Sequence, residues 1–106
     1  MSLTWSDDIA GIDWNELEAL YSAAPLGRKN AHELAIVFAN SRYRCFVREA
    51  GKLVAVGRAL ADGADCSYIC DVAVMPSHQS TGLGKAVVEK LMKLSEGHKK
   101  IILYSV

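Results

Sequence analysis

The sequence has little that would suit a membrane protein, a nucleic-acid-binding protein or a secreted protein. Its 106 residues carry 12 basic and 12 acidic side chains, so the formal net charge is zero and the basic excess that attracts nucleic acid is missing. The chain has no run of about 20 apolar residues, which a membrane helix requires. Its start, Met-Ser-Leu-Thr, lacks the basic and apolar regions of a secretory signal. We therefore expect a single domain over residues 1–106, located in the cytoplasm, that binds neither nucleic acid nor membranes.

Cysteine is also scarce. The three cysteines, Cys45, Cys66 and Cys70, are odd in number and form no Cys-x-x-Cys pair, so structural disulfides are not expected. The three histidines are scattered along the chain, and we predict no metal site. The thiols are expected to pack as small apolar groups.

The first half of the chain has two segments with apolar residues at helical spacing. Asp13–Ala23 predicts a helix with Asp13 as the N-cap residue, and Ala31–Asn40 predicts a second helix entered from Asn30. The preceding segment Leu3–Ile9 is a candidate for a short edge strand.

The second half of the chain predicts a sheet and one more helix. Turn residues separate three strand-like segments that form an antiparallel meander: Arg42–Glu49, Leu53–Leu60 and Cys66–Val74. A helix over Thr81–Glu96 leads to a last strand, Lys100–Val106, which should run parallel to Cys66–Val74 because a helical crossover joins them. The predicted fold class is therefore α/β (α+β): a mixed, mostly antiparallel sheet flanked by helices, in the order (β)ααβββαβ.

The turn Gln79-Ser-Thr-Gly-Leu-Gly84 joins the third strand to the last helix and is the most informative segment. A helix N-terminus has unpaired backbone N–H groups and a partial positive charge, and glycine lets an anion come close to the main chain. The turn therefore predicts a phosphate site. A P-loop is excluded because Lys85 is followed by Ala86. A dinucleotide fingerprint is excluded because Val87 stands where a third small residue is needed.

The remaining pattern, Gln79-x-x-Gly82-x-Gly84 after a strand and Pro76, resembles the pyrophosphate loop of the GNAT superfamily of acetyl-CoA-dependent N-acyltransferases. The motif of that family is Gln/Arg-x-x-Gly-x-Gly/Ala. The resemblance is most specific over Cys66–Leu94. The alternative is an ordinary strand-to-helix turn that begins with glycine.

The resemblance implies a GNAT-like fold and a reaction in which an amine attacks the thioester of acetyl-CoA. In the family, the strand end contacts the pantetheine and the acetyl group, and the loop holds the pyrophosphate. Lys85 either contacts a phosphate or only solvates the first helical turn. The cofactor-binding residues implied are Val72, Ala73, Val74, Gln79, Ser80, Thr81, Gly82, Leu83, Gly84 and Lys85.

Asp71 is the candidate general base because it is the one carboxylate in the strand before the loop. Its apolar neighbours Cys70 and Val72 would make this carboxylate easier to protonate. The alternative is a structural strand aspartate. Tyr68, three residues earlier, is the second catalytic candidate, against a role as a core aromatic with its hydroxyl at the rim.

The family pattern breaks off at the end of the chain. GNAT proteins normally continue past the last strand with a short helix carrying a tyrosine and with further strands, whereas this sequence stops at Val106. Relative to the family the chain is C-terminally truncated, and Tyr104 does not match the missing motif. A natural short form, a fragment and a chain completed by a partner all remain open.

Two functional readings follow from the sequence. The first is an N-acetyltransferase that transfers acetyl from acetyl-CoA to a primary amine, either on a small molecule or at a peptide N-terminus. The alternative is a catalytically degenerate acyl-CoA-binding or partner-completed domain. In the predicted strand Lys100–Val106, neither a proline nor an inward charge protects the run from Ile101 to Val106 as a sheet edge, so we also expect a homo-oligomer through this strand.

Overall fold

The computed structural model describes residues 2–26 and 29–104, which form five strands and three α-helices. The elements are β1 (Leu3–Ser6), α1 (Trp14–Ala23), α2 (Ala31–Ala39), β2 (Tyr43–Glu49), β3 (Lys52–Ala61), β4 (Cys66–Val74), a 3-10 turn (Pro76–His78), α3 (Leu83–Leu94) and β5 (Lys100–Leu103). The predicted order of elements is confirmed. Gly27, Arg28, Ser105 and Val106 belong to predicted segments but lie outside the described residues.

The strands form one sheet in the order β1-β2-β3-β4-β5. Neighbours from β1 to β4 are antiparallel, and β4 and β5 are parallel. Both the predicted meander and the predicted parallel pair are therefore confirmed. The candidate edge strand near the N-terminus is present, and it covers the outer side of β2.

The helices divide between the two faces of the sheet. Helices α1 and α2 pack on one face, where the N-cap residues Asp13 and Asn30 accept hydrogen bonds from first-turn N–H groups as the sequence predicts. Helix α3 packs on the other face. The α1–α2 side of the core contains Leu17, Leu20, Tyr21, Leu34, Phe38, Phe46, Leu53, Val56 and Ala73. The α3 side contains Cys45, Val47, Val54, Ala55, Ala59, Ile69, Leu83, Val87 and Leu91.

Helix α3 is shorter than predicted at both ends. It begins at Leu83 because Ser80 and Gly82 have positive φ angles of 64° and 87°, which are incompatible with a right-handed helix. It ends at Leu94, ahead of a turn in which Gly97 has a φ of 98°. None of the helices in the described part of the chain is long and apolar enough to cross a bilayer.

Gly57 sets how closely α3 packs on the sheet. A Cβ atom at this position would lie 2.8 Å from both Leu91 Cδ1 and Val87 Cγ1, and 3.2 Å from Val72 Cγ2. The helix therefore lies directly over the middle of β3, and its N-terminus is held beside the C-terminal end of β4.

Candidate active site

Strand β4 has two halves with different surroundings. Cys66–Ile69 pairs with β3 on one side and with β5 on the other, and the last bond to β5 runs from Tyr104 N to Ile69 O at 2.9 Å. For Cys70–Val74 no strand among the described residues pairs on the β5 side. Part of the strand backbone thus borders open space beside the N-terminus of α3.

A β-bulge lies at the boundary between these halves. Val56 pairs with Ala73 and Arg58 with Cys70, so β4 contains one residue more than β3 over this stretch. Asp71 occupies the bulge with a φ of 56°. The bulge directs Asp71 toward the α1 side, whereas the next residue, Val72, packs on the α3 side.

The Asp71 carboxylate is bound by two cations. Arg58 Nε donates to Asp71 Oδ2 at 2.8 Å, and Lys29 Nζ lies 3.1 Å from Asp71 Oδ1. The Asp71 side chain is 20% exposed. This corrects the apolar surroundings expected from sequence. Ile69 faces the α3 side, so an unbroken alternation would place Asp71 on that apolar side, whereas the bulge turns its carboxylate to the other side, beside Arg58.

Tyr21 supports the bulge from α1. Its hydroxyl donates to the main-chain oxygen of Asp71 at 2.6 Å. Burial, with a further contribution from the Asp71 charge, raises the pKa of Tyr21 well above its ordinary value, so this hydroxyl keeps its proton and remains a donor. The unusual backbone conformation of Asp71 is thus fixed by a hydrogen bond from the core.

Sequence reasoning missed Lys29, Arg58 and Tyr21 as parts of the site. Arg58 interrupts the apolar segment Leu53–Leu60, which is a signal that could have been used, since a charge in a buried strand needs a partner. It also donates to Ser41 Oγ at 3.2 Å. Lys29 lies in the link between α1 and α2, and nothing in its local sequence indicates a contact with β4.

The loop before α3 presents several free donors. None of the backbone N–H groups of residues 80–85 makes a hydrogen bond to an acceptor within the described parts of the chain. Gln79 Nε2 donates to Val74 O at 3.1 Å, and Thr81 Oγ1 donates to His78 O. These side chains hold the loop in shape while its N–H groups stay available to an anion.

The two glycines of the loop have different roles. At Gly82 a Cβ would meet nothing within 4 Å, so glycine is favoured there by its φ of 87° and leaves space above the N–H groups. A Cβ at Gly84 would lie 3.4 Å from Val74 Cγ2. This is an ordinary contact distance, so position 84 has room for a small side chain beside the end of β4.

His78 links the loop to β2. Its Nε2 lies 2.8 Å from Glu49 Oε1, and its Nδ1 lies 2.7 Å from Ser77 Oγ. The second carboxylate oxygen of Glu49 is buried and has no hydrogen-bond partner among the described residues. The His78 ring is partly buried and holds the turn in place.

The open half of β4 and the start of α3 line one cleft of about 770 Å³. It contains Asp71 and Val72 of β4 together with Gly84 and Lys85 of α3, so the structure brings these four predicted residues together. The full lining is Pro25, Leu26, Lys29, Asp71, Val72, Gly84, Lys85, Val88, Leu103 and Tyr104.

Other predicted residues lie outside this lining. Ala73 and Leu83 are buried in the two sides of the core, so their side chains are structural. Tyr68 packs beside Tyr104, with ring centroids 6.3 Å apart. Desolvation, followed by the neighbouring Cys70 and Tyr104, raises the pKa of Tyr68, so its hydroxyl is protonated at neutral pH.

An open strand half, a helix N-terminus with free N–H groups and a carboxylate thus line one cleft. The family model described as the acetyltransferase (GNAT) family matches residues 7–105, and the chain belongs to this family. Proteins with this fold use an acyl-coenzyme A as donor. The family and fold class expected from sequence are confirmed.

Relatives and solved structures agree with this assignment. GCN5-related N-acetyltransferase 1, chloroplastic, from Arabidopsis thaliana is 32% identical over 99 residues, which cover 90% of this chain and 50% of that protein. Histone acetyltransferase TAP1 from Glycine max is 31% identical over 77% of this chain and 40% of that protein. The chain thus spans half or less of the length of these two relatives.

Among solved structures, a protein from meticillin-resistant Staphylococcus aureus whose description is "Probable Acetyltransferase" has a TM-score of 0.88 at 21% identity. The match covers 99% of this chain and 80% of that chain. A GNAT family protein from Streptococcus pneumoniae has a TM-score of 0.80 at 18% identity, covering 99% of this chain and 75% of that chain. At these identities the likeness concerns the fold.

Proposed function

We propose that the protein is an N-acetyltransferase that transfers acetyl from acetyl-CoA to a primary amine. The observation that carries the proposal is the shared cleft, which is lined both by the start of α3, with its free N–H groups, and by Asp71 in the open half of β4. The acceptor is proposed to be a small-molecule amine or a peptide N-terminus.

The pyrophosphate of the donor is proposed to bind the loop from Gln79 to Gly84, where the N–H groups from Ser80 onward are free of partners among the described residues. A helix dipole contributes only about 0.3–1 kcal/mol at an exposed site, so the affinity must come mainly from several convergent N–H groups. The Lys85 ammonium would add to this binding. The backbone of Val72, Ala73 and Val74 offers the pantetheine a strand edge, while the buried side chain of Ala73 stays in the core.

Asp71 is proposed to receive the proton of the acceptor ammonium. The free amine then attacks the thioester carbonyl carbon, the amide forms, the C–S bond breaks and the CoA sulfur takes a proton. Tyr68 is kept as the second catalytic candidate because its protonated hydroxyl stands next to Tyr104, which lines the cleft. Tyr68→Phe tests this role by its effect on turnover.

The test is the release of CoA thiol with a panel of primary amines and peptides, with calorimetric titration of acetyl-CoA. Gly82→Glu is expected to abolish binding, because the new side chain is strained at positive φ and repels the pyrophosphate. Gly82→Gln is the matched control, which has nearly the same shape without the charge and should retain more affinity. Unchanged acetyl-CoA affinity in Gly82→Glu would remove the loop from the proposal.

A catalytically degenerate acyl-CoA-binding domain is the second candidate. The observation that favours it is that Arg58 and Lys29 already occupy both carboxylate oxygens of Asp71. Calorimetric binding of acetyl-CoA without thiol release from any acceptor would select this function.

Assembly and location are also proposals. In the described residues β5 is an edge of the sheet, and Ile101, Ile102 and Leu103 are 38–50% exposed, which supports a homo-oligomer through this strand. Light scattering that gives a monomer at high micromolar concentration would refute it. The free thiols Cys45, Cys66 and Cys70 suit a reducing compartment such as the cytoplasm.

A further inference from the structure

We propose that the protein acetylates its own Lys29, whose side-chain amine lies where the acceptor amine must bind. The inference rests on the proposed acetyltransferase function. It starts from one contact: Lys29 Nζ lies 3.1 Å from Asp71 Oδ1, within the reach of about 2.6–3.2 Å at which a general base takes a proton.

The surroundings of Lys29 hold this amine in the cleft. Its Nζ lies 5.6 Å from the centroid of the Tyr21 ring, and its side chain is only 27% exposed. Lys29 lines the same cleft as Val72 of the open strand half and Gly84 at the start of α3. A primary amine of the chain therefore lies beside the proposed base, in the cleft that the donor is proposed to enter.

Other lysines lack this combination. Lys85 lines the same cleft, but it stands on the first turn of α3, where the pyrophosphate is proposed to bind, and it forms no ion pair with a described carboxylate. Lys100 pairs with Asp65 at 3.1 Å, but its side chain is 61% exposed and lies outside the cleft lining. Lys85 and Lys100 thus serve as internal references for chemical acetylation.

The reaction balances without any further reactant. Asp71 removes one proton from the Lys29 ammonium, and the nitrogen attacks the acetyl carbonyl carbon of acetyl-CoA. The N–C amide bond forms and the C–S bond breaks. Of the two protons that the nitrogen loses, one goes to the CoA sulfur and one to solvent. The products are acetylated Lys29, which no longer carries a charge for Asp71, and free CoA.

The experiment incubates the full chain with isotopically labelled acetyl-CoA and follows acetyl groups by intact mass and peptide mapping. Label should appear on Lys29 about 10²-fold faster than on Lys100, which is the size of a positioned base's contribution. The rate should be first order and independent of protein concentration. Lys29→Arg, which keeps the charge, should lose this label, and Gly82→Glu should suppress it.

Equal labelling of Lys29 and Lys100, labelling that survives Gly82→Glu, or a rate that rises with protein concentration would overturn the inference. Transfer to an added amine with Lys29 unlabelled would also overturn it, while leaving the proposed function standing. Binding of acetyl-CoA with neither transfer nor label would refute both. Label on Lys29 without transfer to any added amine would support the inference and confine the chemistry to the chain itself.

Discussion

The two halves of β4 differ in what completes them. Cys66–Ile69 is paired on both sides and packs under α3, where the buried hydroxyls of Ser67 and Ser95 lie 2.7 Å apart. In Cys70–Val74 the described residues supply a strand partner only from β3, and the bulge at Asp71 marks the boundary. The same strand therefore stabilises the fold with one half and borders the open cleft with the other.

This difference shows that a site can be made by ending a strand pairing early rather than by adding a loop. The open half keeps its shape because α1 and β3 hold it through Tyr21 and Arg58. Substitutions in the paired half should then change mainly the free energy of unfolding. Those in the open half should change mainly turnover.

The largest expected effect is that of Asp71→Asn on turnover. The change keeps the shape and the backbone preference of the residue but removes the proton acceptor, so kcat should fall by about 10²–10⁴-fold. The acetyl-CoA affinity from calorimetry and the midpoint of urea unfolding should change little by comparison. Full activity in this variant would show that Asp71 is structural, and that the open half of β4 is not more important for turnover than the paired half.

Ile69→Ala should show the opposite pattern. Ile69 is fully buried on the α3 side, and its truncation should lower the free energy of unfolding by about 2–5 kcal/mol, since burial is lost and a cavity remains. Ile69→Val is the graded control, at about 0.5–1.5 kcal/mol. Urea unfolding measures both, and kcat of the folded fraction should stay near that of the parent. A selective loss of kcat would contradict the comparison.

Ser67→Ala should have a smaller effect of the same kind. The Ser95 hydroxyl also donates to Leu91 O at 2.7 Å, so it retains one partner when Ser67 is truncated. The expected loss is about 0.5–1.5 kcal/mol of unfolding free energy, the net value of one hydrogen bond. Ser95→Ala removes both contacts and should cost more. Equal losses in the two variants would show that the bond between the hydroxyls contributes little.

The smallest effect concerns the turn that enters the paired half. Hydrogen bonds from the N–H groups of Ala64, Asp65 and Cys66 lower the pKa of Asp62 from 3.8 to about 2. A lowered folded-state pKa gives stability that is present above the unfolded value, so it is lost as the pH falls from about 3.8 to about 2. Urea midpoints across this range should fall less steeply in Asp62→Asn than in the parent.

Asp65→Asn is the control for Asp62→Asn, since Asp65 lies in the same turn but pairs only with the exposed Lys100. It should retain the pH dependence of the parent. If the urea midpoint depends on pH in the same way in the parent and in both variants, Asp62 does not contribute to the loss of stability in acid.

The sequence predicts those parts of the molecule that depend on local pattern. The loop before α3, the strand order and the N-cap residues Asp13 and Asn30 follow from turn chemistry and periodicity, and the structure agrees. The surroundings of Asp71 could not be predicted in this way. The face on which Asp71 lies depends on the bulge in the pairing of β4 with β3. Its partner Lys29 lies 42 positions earlier in the chain. Such contacts have no local signature.

The backbone at Asp71 narrows the set of residues that this position can accept. Its φ of 56° lies in the left-handed region, which asparagine, aspartate and glycine tolerate and β-branched residues do not. The proposed chemistry asks independently for a carboxylate. Aspartate satisfies both demands, glutamate meets the chemical one without the conformational advantage, and asparagine or glycine meets only the conformational one. We therefore expect a library of all substitutions at residue 71 to lose variants in two steps. Selection for folding should enrich aspartate, asparagine and glycine, and selection for turnover should then leave aspartate.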